Sequence, residues 1–277
     1  MSVSPYRDLY VYMLGGVVPE SEEGKLGCAF LGNWVEDMSS FLFFSTPSGG
    51  EVSGLLERRP ELRLLEDYHF TYEEWQGGGL APLRIDPFVI SAPWQAVGPV
   101  EGEIRMWLDP GVVFGTGLHP TTRDCLSALV YLQGLAPMGR VMDLGTGTGI
   151  LALAAALLGA EEVLAVDLNP LCVKTARRNV ELNRLEATIR VVQGKAEDCI
   201  HEEADLVVAN IHHGVLKGLI VSGAFRRKSL ILLSGLMRSQ AAEVRQEMSV
   251  TGALLVREWD HEMTWYTMLW DSRNSKW

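Results

Sequence analysis

The chain of 277 residues predicts a doubly wound α/β fold. A mostly parallel sheet of seven strands should end in a C-terminal antiparallel hairpin, with a small α+β domain at the N-terminus. Three observations carry this expectation. Residues 141–167 run through an apolar strand, a glycine-rich turn, an apolar helix and a second apolar strand ending on an acid, which is one βαβ unit. From 141 to 270 apolar strands and helices alternate regularly, and the strands read as nearly continuous apolar runs, as in a sheet covered on both faces. The first 85 or so residues lack this rhythm.

In the N-terminal part, residues 6–14 alternate like a strand, 40–45 are a second strand candidate, 51–59 have helical composition and 84–90 suit another strand. Breaks fall at Pro47-Ser48-Gly49-Gly50 and at Gly77-Gly78-Gly79. Residues 90–104 carry Pro93, Gly98, Pro99 and Gly102 and read as a connection. The expected division is therefore an N-terminal domain over 1–89, a linker over 90–104 and a larger domain over 105–277. In the larger domain a helix is expected over 123–132, capped by Thr121 or Thr122. Strands are expected over 141–144, 163–167, 188–193, 205–211 and 229–233, and helices over 150–158, 170–183, 214–224 and 240–251. Pro170 suits a first helical turn, where no N–H is needed. The apolar runs 253–259 and 263–270 are joined too closely for a helical crossover, so they predict a hairpin at the sheet edge.

Composition narrows the function. An apolar fraction of 47% is that of a globular protein with a sizeable core. The formal net charge of −11 argues against a nucleic-acid surface and suits a basic protein partner, or simple solubility. Cys28, Cys125, Cys172 and Cys199 form no C-x-x-C pair and the histidines no H-E-x-x-H, so neither a metal site nor a disulfide framework is signalled. Neither a secretory signal nor a membrane-spanning run is visible, so a cytoplasmic setting is expected.

The glycine turn narrows the ligand. Gly145, Gly147 and Gly149 lack the Cβ atoms that would keep a ligand off the backbone. Asp167 lies 22 residues beyond Gly145, where a carboxylate accepts both hydroxyls of a ribose. A dinucleotide fingerprint needs G-x-G-x-x-G, but here the run is G-x-G-x-G, with Ile150 where the third fingerprint glycine would stand. Asp143 at the mouth of the turn would repel a phosphate and attract a cation or an amine. S-adenosylmethionine, with a ribose, a sulfonium, an α-amino group and no phosphate, fits better than NAD.

Two further runs belong with this turn. Residues 108–122, L-D-P-G-V-V-F-G-T-G-L-H-P-T-T, have the glycines and hydroxyls of a binding loop, placed to fold over the pocket as a lid. In 204–211, A-D-L-V-V-A-N-I, five apolar residues lead into Asn210 at the end of a strand, beside the pocket opened by Gly145. Its amide oxygen can accept a hydrogen bond from an amine, although a turn asparagine is the competing reading.

Together these runs resemble the bacterial methyltransferases of large-subunit ribosomal protein L11, the PrmA family. The loop D-P-G-V-V-F-G-T-G-L-H-P-T-T (109–122) is the most specific signature, followed in the family's order by D-L-G-T-G-T-G-I-L, V-A-N-I and S-G-L (234–236). The likeness covers about 65–270 and includes Y-E-E-W-Q-G-G-G-L-A-P-L-R-I-D-P-F-V-I-S-A-P-W, with Tyr72 where the family usually has tryptophan. The first 60 residues, the family's substrate-recognition region, match poorly. The resemblance implies a Rossmann-like methyltransferase domain in which Thr122, Gly145, Asp167 and Asn210 bind S-adenosylmethionine. It also implies that Asn210 faces the acceptor amine. Asp143, Gly147 and Gly149 join the cofactor set from the reading of the turn. His119 and Phe114 lie in the matching loop without an assigned role.

The implied reaction is methylation of amino groups, lysine side chains or an N-terminal α-amine, of a basic ribosomal protein. The nitrogen lone pair would attack the methyl carbon in line with the departing sulfur. An ordinary lysine titrates near 10.4 and must first lose a proton, which an apolar pocket favours. No dedicated base is visible in these motifs, so alignment should carry most of the catalysis. The intact glycine turn, Asp167 and Asn210 speak against a non-enzymatic cofactor-binding protein, and two further alternatives stand beside this reading. One is a lysine methyltransferase with a different protein target. The other is a nucleic-acid adenine methyltransferase, disfavoured because Asn210 is followed by Ile211, His212 and His213 instead of a proline pair and an aromatic.

Overall fold

The computed structural model describes residues 4–79, 81–95, 97–135 and 137–273. The chain opens with β1 (Asp8–Gly15), α1 (Glu20–Glu23), β2 (Phe30–Glu36), β3 (Ser39–Phe44), α2 (Gly49–Arg58), β4 (Arg63–Thr71) and α3 (Tyr72–Gln76). The four strands form an antiparallel sheet in the order β2-β3-β1-β4. Between β2 and β3 the chain turns through Asp37 and Met38, both at positive φ, as a tight two-residue hairpin requires. The strands expected at 6–14 and 40–45 and the helix at 51–59 are present with shifted ends, whereas β2 and β4 were not foreseen. Nearly every residue of β4 is exposed, so it lacks the alternation that betrays a strand.

Next come β5 (Leu83–Ile85), β6 (Phe88–Ser91) and β7 (Ile104–Trp107), which form a three-stranded sheet. The single strand expected at 84–90 is a hairpin that reverses at Asp86-Pro87. The expected linker, 90–104, also needs correction, because its ends lie in β6 and β7. Ile90 from β6 and its neighbours Phe88 and Met106 are buried in the main core, so the connecting stretch is anchored at both ends.

The remainder comprises α4 (Pro120–Gln133), β8 (Arg140–Leu144), α5 (Ile150–Leu157), β9 (Glu162–Asp167), α6 (Pro170–Asn183), β10 (Ile189–Gln193), α7 (Ala196–Cys199), β11 (Leu206–Asn210), α8 (His213–Val221), β12 (Leu230–Met237), α9 (Arg238–Val250), β13 (Leu254–His261) and β14 (Trp265–Asp271). The sheet order is β10-β9-β8-β11-β12-β14-β13. The first five strands are parallel, and β14 lies antiparallel between β12 and β13, closing the expected hairpin. Alternate strand residues feed two cores. Val141, Val163 and Val208 face one that includes α4 and α5 residues, while Met142, Val166 and Val207 face one that includes α8 and α9 residues.

The order reverses between β8 and β11, so the chain leaves these neighbours in opposite directions and opens a crevice at their carboxyl ends. A third core joins the N-terminal sheet to this part of the molecule, combining Leu9, Val11 and Phe43 with Val112, Val113 and Leu171. Among the described residues no helix is long and apolar enough to cross a membrane.

Candidate active site

The glycine turn follows β8 at the switch point, and its geometry corrects the expectation about its glycines. A Cβ on Gly145 would strike Ile211 Cγ2. One on Gly147 would lie 2.6 Å from the Phe114 carbonyl oxygen, and one on Gly149 would lie 3.3 Å from Ala176 Cβ. The space these glycines leave is filled by the protein itself: the chain after β11, the 109–119 loop and α6.

The loop is laid directly on the turn. Thr148 N–H donates to the Phe114 carbonyl at 3.2 Å, and its hydroxyl donates to the Gly115 carbonyl at 2.6 Å. Gly115 sits at φ +108, where an L side chain would be strained and its Cβ would meet Thr148 Oγ1.

Two carboxylates flank the turn in different surroundings. Asp167 Oδ2 accepts from Gly147 N–H and Oδ1 from Asn169 N–H, each at 2.9 Å. These two amides fix the orientation of the carboxylate, which stays partly exposed at the end of β9. Burial raises the Asp167 pKa, opposed by these amides and the Cys172 thiol. Asp143 is 1% exposed and lies beneath the turn, so it does not line an open mouth as the sequence suggested. Its Oδ2 accepts from the Thr146 hydroxyl at 2.6 Å, while Oδ1 is buried without a protein hydrogen bond. Burial pushes its pKa up to about 6, with the Asp167 charge adding to the rise. The Thr122 hydroxyl is a second buried oxygen without a protein partner.

The other wall begins at the N-terminus of α4. The expected cap by Thr121 or Thr122 is not found, because Pro120 occupies the first helical turn and shifts the start forward. His119 caps the helix, its Nδ1 accepting from Thr121 N–H at 3.3 Å. A nitrogen that accepts from an amide also accepts from the Thr121 hydroxyl, 2.7 Å away. Thr121 Oγ1 then has a lone pair for Asn210 Nδ2–H, at 3.4 Å. This chain orients the Asn210 amide at the end of β11, directing its Nδ2 to Thr121 and leaving Oδ1 on the other side. Gly235, at φ +79, makes room there, since a Cβ would lie 3.0 Å from Asn210 Oδ1.

His119 also packs edge-on against Trp265 and Phe114, with ring centroids 4.9 and 5.6 Å away. Burial, with His261 nearby, lowers the His119 pKa and favours the neutral ring.

The structure thus places Asp143, Gly145, Gly147, Gly149 and Asp167 around the β8–β9 crossing and gathers Thr122 and Asn210 at the α4–β11 side of the same crevice. Sequence reasoning missed Thr121 as the link to Asn210 and Trp265 as part of the wall. Trp265 is distant in sequence, and only the position of β14 in the sheet brings it near. Among the described residues no group of three or more metal-ligating side chains occurs. His212 caps α8 and His213 pairs with Glu243 at 3.1 Å.

The family model for ribosomal protein L11 methyltransferase (PrmA) matches residues 61–273. The chain belongs to this family. The ribosomal protein L11 methyltransferase of Desulforamulus reducens is 39% identical over 190 residues, which is 67% of this chain and 61% of that protein. The one of Desulfitobacterium hafniense is 40% identical over 205 residues, 72% of this chain and 65% of that protein. The match therefore spans rather less than two thirds of the length of these relatives. Among solved structures, a ribosomal protein L11 methylase from Lactobacillus delbrueckii subsp. bulgaricus aligns with TM-score 0.60 at 27% identity. The alignment covers 67% of this chain and 94% of that one. Within the matched range, the segment 109–122 is the one that the structure lays on the glycine turn.

Proposed function

We propose that this PrmA-family chain is an S-adenosylmethionine-dependent methyltransferase acting on amino groups of a basic ribosomal protein, ribosomal protein L11 being the target its relatives' names indicate. The observation that carries the reading is the oriented Asn210 amide at the end of β11, with the Asp167 carboxylate at the end of β9 on the other side of β8. The donor set suits the cofactor: two carboxylates, one with a buried oxygen lacking a partner, and no cationic side chain among these groups to hold a phosphate.

In this reading Asp167 holds the ribose, and Gly145, Gly147 and Gly149 shape the turn. Asp143 supplies negative potential for the cationic end, and Thr122 offers a buried hydroxyl. Bound there, S-adenosylmethionine supplies an electrophilic methyl group on a sulfonium. Asn210 Oδ1 accepts a hydrogen bond from the substrate amine and so turns the nitrogen lone pair toward the reaction axis. Phe114, His119 and Trp265 form an apolar wall that favours the neutral amine. Residues 1–89 would present the substrate to the catalytic part, 105–277. The reading includes a cytoplasmic setting and no direct contact with nucleic acid or membrane.

The test is incubation with isotopically labelled methyl donor and, separately, ribosomal protein L11, a bacterial protein extract freed of ribosomes, and RNA. Label on lysine or α-amino nitrogen of the ribosomal protein supports the proposal. Label only in another protein moves the target, label in adenine replaces the reading, and no label anywhere rejects the activity.

A further inference from the structure

Asn179 on α6 is fully buried and lies outside the cofactor-binding set, yet its side chain spends every hydrogen-bonding group on two functional segments. Its Oδ1 accepts from Asp109 N–H at 2.8 Å. Its Nδ2 donates to the Asp109 carbonyl at 3.0 Å and to the Thr148 carbonyl at 2.9 Å. Asp109 begins the signature loop and Thr148 belongs to the glycine turn. One amide from a third element thus fastens both. A side-chain amide has two donors and an oxygen acceptor, so asparagine matches this demand, and no smaller polar side chain does.

Asn183 supplies a built-in comparison one helical turn further on. Its Oδ1 accepts from Trp107 N–H at 2.9 Å, and its Nδ2 donates to the Trp107 carbonyl at 2.7 Å and to the Asn179 carbonyl at 2.7 Å. The two asparagines lie on one face of α6 and grip alternate residues of the extended chain leaving β7. Only Asn179 also reaches the glycine turn. The turn is held to the loop from its other side by the Thr148 amide and hydroxyl, on Phe114 and Gly115. Thr148 is therefore gripped through its carbonyl by α6 and through its N–H and hydroxyl by the loop.

We infer that Asn179 is a positioning residue for the methyl donor: it sets the glycine turn against the signature loop and so fixes the donor-binding conformation of both. The inference rests on the donor site proposed above. Without Asn179 the carbonyls of Asp109 and Thr148 lose their buried donor, and the turn and loop separate by enough to admit water. Donor affinity should fall more than the rate from the bound state, because Asn179 is fully buried and its side chain is committed to Asp109 and Thr148.

The experiment compares wild type, Asn179→Ala and Asn183→Ala by calorimetric titration with S-adenosylmethionine, thermal unfolding and hydrogen exchange of residues 109–115 and 145–149. Both variants should lose stability, since each removes a side-chain amide that satisfies backbone groups, fully buried at Asn179 and half-buried at Asn183. Only Asn179→Ala should weaken donor binding, by roughly tenfold, and speed exchange in the loop and turn together. Asn179→Ser, which leaves a smaller gap, is the variant to titrate if the alanine protein does not fold, and it should shift affinity in the same direction. Equal donor affinity in wild type and every folded Asn179 variant overturns the inference, as does an equal loss in Asn183→Ala. A wild-type protein that binds no donor at all instead removes the donor site itself, so the two failures are distinguishable.

Discussion

At residue scale the proposed chemistry rests on two side chains, and each makes a separable prediction. Asn210 is oriented by a chain of hydrogen bonds that begins with a helix cap, so its oxygen faces away from Thr121 without a charge to hold it. Asn210→Ala should lower single-turnover methylation by about a hundredfold, the scale seen when one preorganised polar group is removed. Donor affinity should fall much less than turnover, and near-normal turnover would take Asn210 out of the mechanism. Asp143 makes a prediction about pH. Its folded pKa of about 6 lies above the ordinary value of 3.8. The folded state therefore binds the proton more tightly than the unfolded chain. The stability this gives is present below pH 3.8, is lost as pH rises through 6, and the buried charge then costs on the order of 3 kcal/mol. Asp143→Asn should melt higher than wild type at pH 7.5 in the absence of donor, with the gap closing toward pH 4.5. The same ionisation should strengthen binding of a cationic donor as pH rises through 6. Asp167, also raised by burial, shifts affinity in the same direction, so the flatter profile of Asp143→Asn is what isolates Asp143. A stability gap that stays constant from pH 4.5 to 7.5 would rule out this account of Asp143.

At element scale the turn and the loop form one unit, and the glycines show how. Gly147→Ala would bring a Cβ to 2.6 Å from the Phe114 carbonyl, against backbone that cannot rotate aside. The loop should lift from the turn, with faster proteolysis between 109 and 119, while the parallel sheet keeps its far-ultraviolet circular dichroism. A variant with wild-type cleavage rates would show that the close approach is not needed. The βαβ unit and the C-terminal hairpin were legible because apolar runs, Pro170 and the short link before 263 report local geometry directly. Asp167 and Asn210 were legible as the last residues of apolar strands. The glycines were read as room for a ligand, yet their nearest neighbours come from 114, 176 and 211, contacts that no local pattern encodes. The same limit hid β2 and β4, whose residues follow no clear alternation, and Thr121, whose importance comes from a partner 89 positions away.

On the scale of the whole molecule, the N-terminal sheet is tied to the part that carries the seven-stranded sheet through the first residues of the same loop. Tyr6 OH donates to Asp109 Oδ1 at 3.0 Å, and Tyr72 OH donates to the Gly111 carbonyl. Trp75 Nε1–H donates to the Val112 carbonyl at 3.0 Å, and Gln76 Nε2–H to that of Gly111 at 3.1 Å. Asp109 also meets Arg178 at 2.9 Å, so the loop's first residue is shared between the N-terminal unit and α6. Burial raises the Tyr6 and Tyr72 pKa values, so both phenols stay protonated and remain donors across the range in which the protein would work. The Tyr72 hydroxyl is one of these donors on the loop. Because a shared apolar core and these donors bridge the two parts, heating should unfold them in one cooperative transition. Tyr72→Phe combined with Trp75→Phe keeps aromatic packing and removes two donors, for a loss of about 2 kcal/mol. For a chain of this length that corresponds to a melting point lower by roughly 4 °C. Hydrogen exchange at 109–113 should quicken together with that drop. If the double variant instead melts in two separate steps, the donors are what couples the halves. An unchanged melting point and unchanged exchange would mean that the apolar core alone joins them.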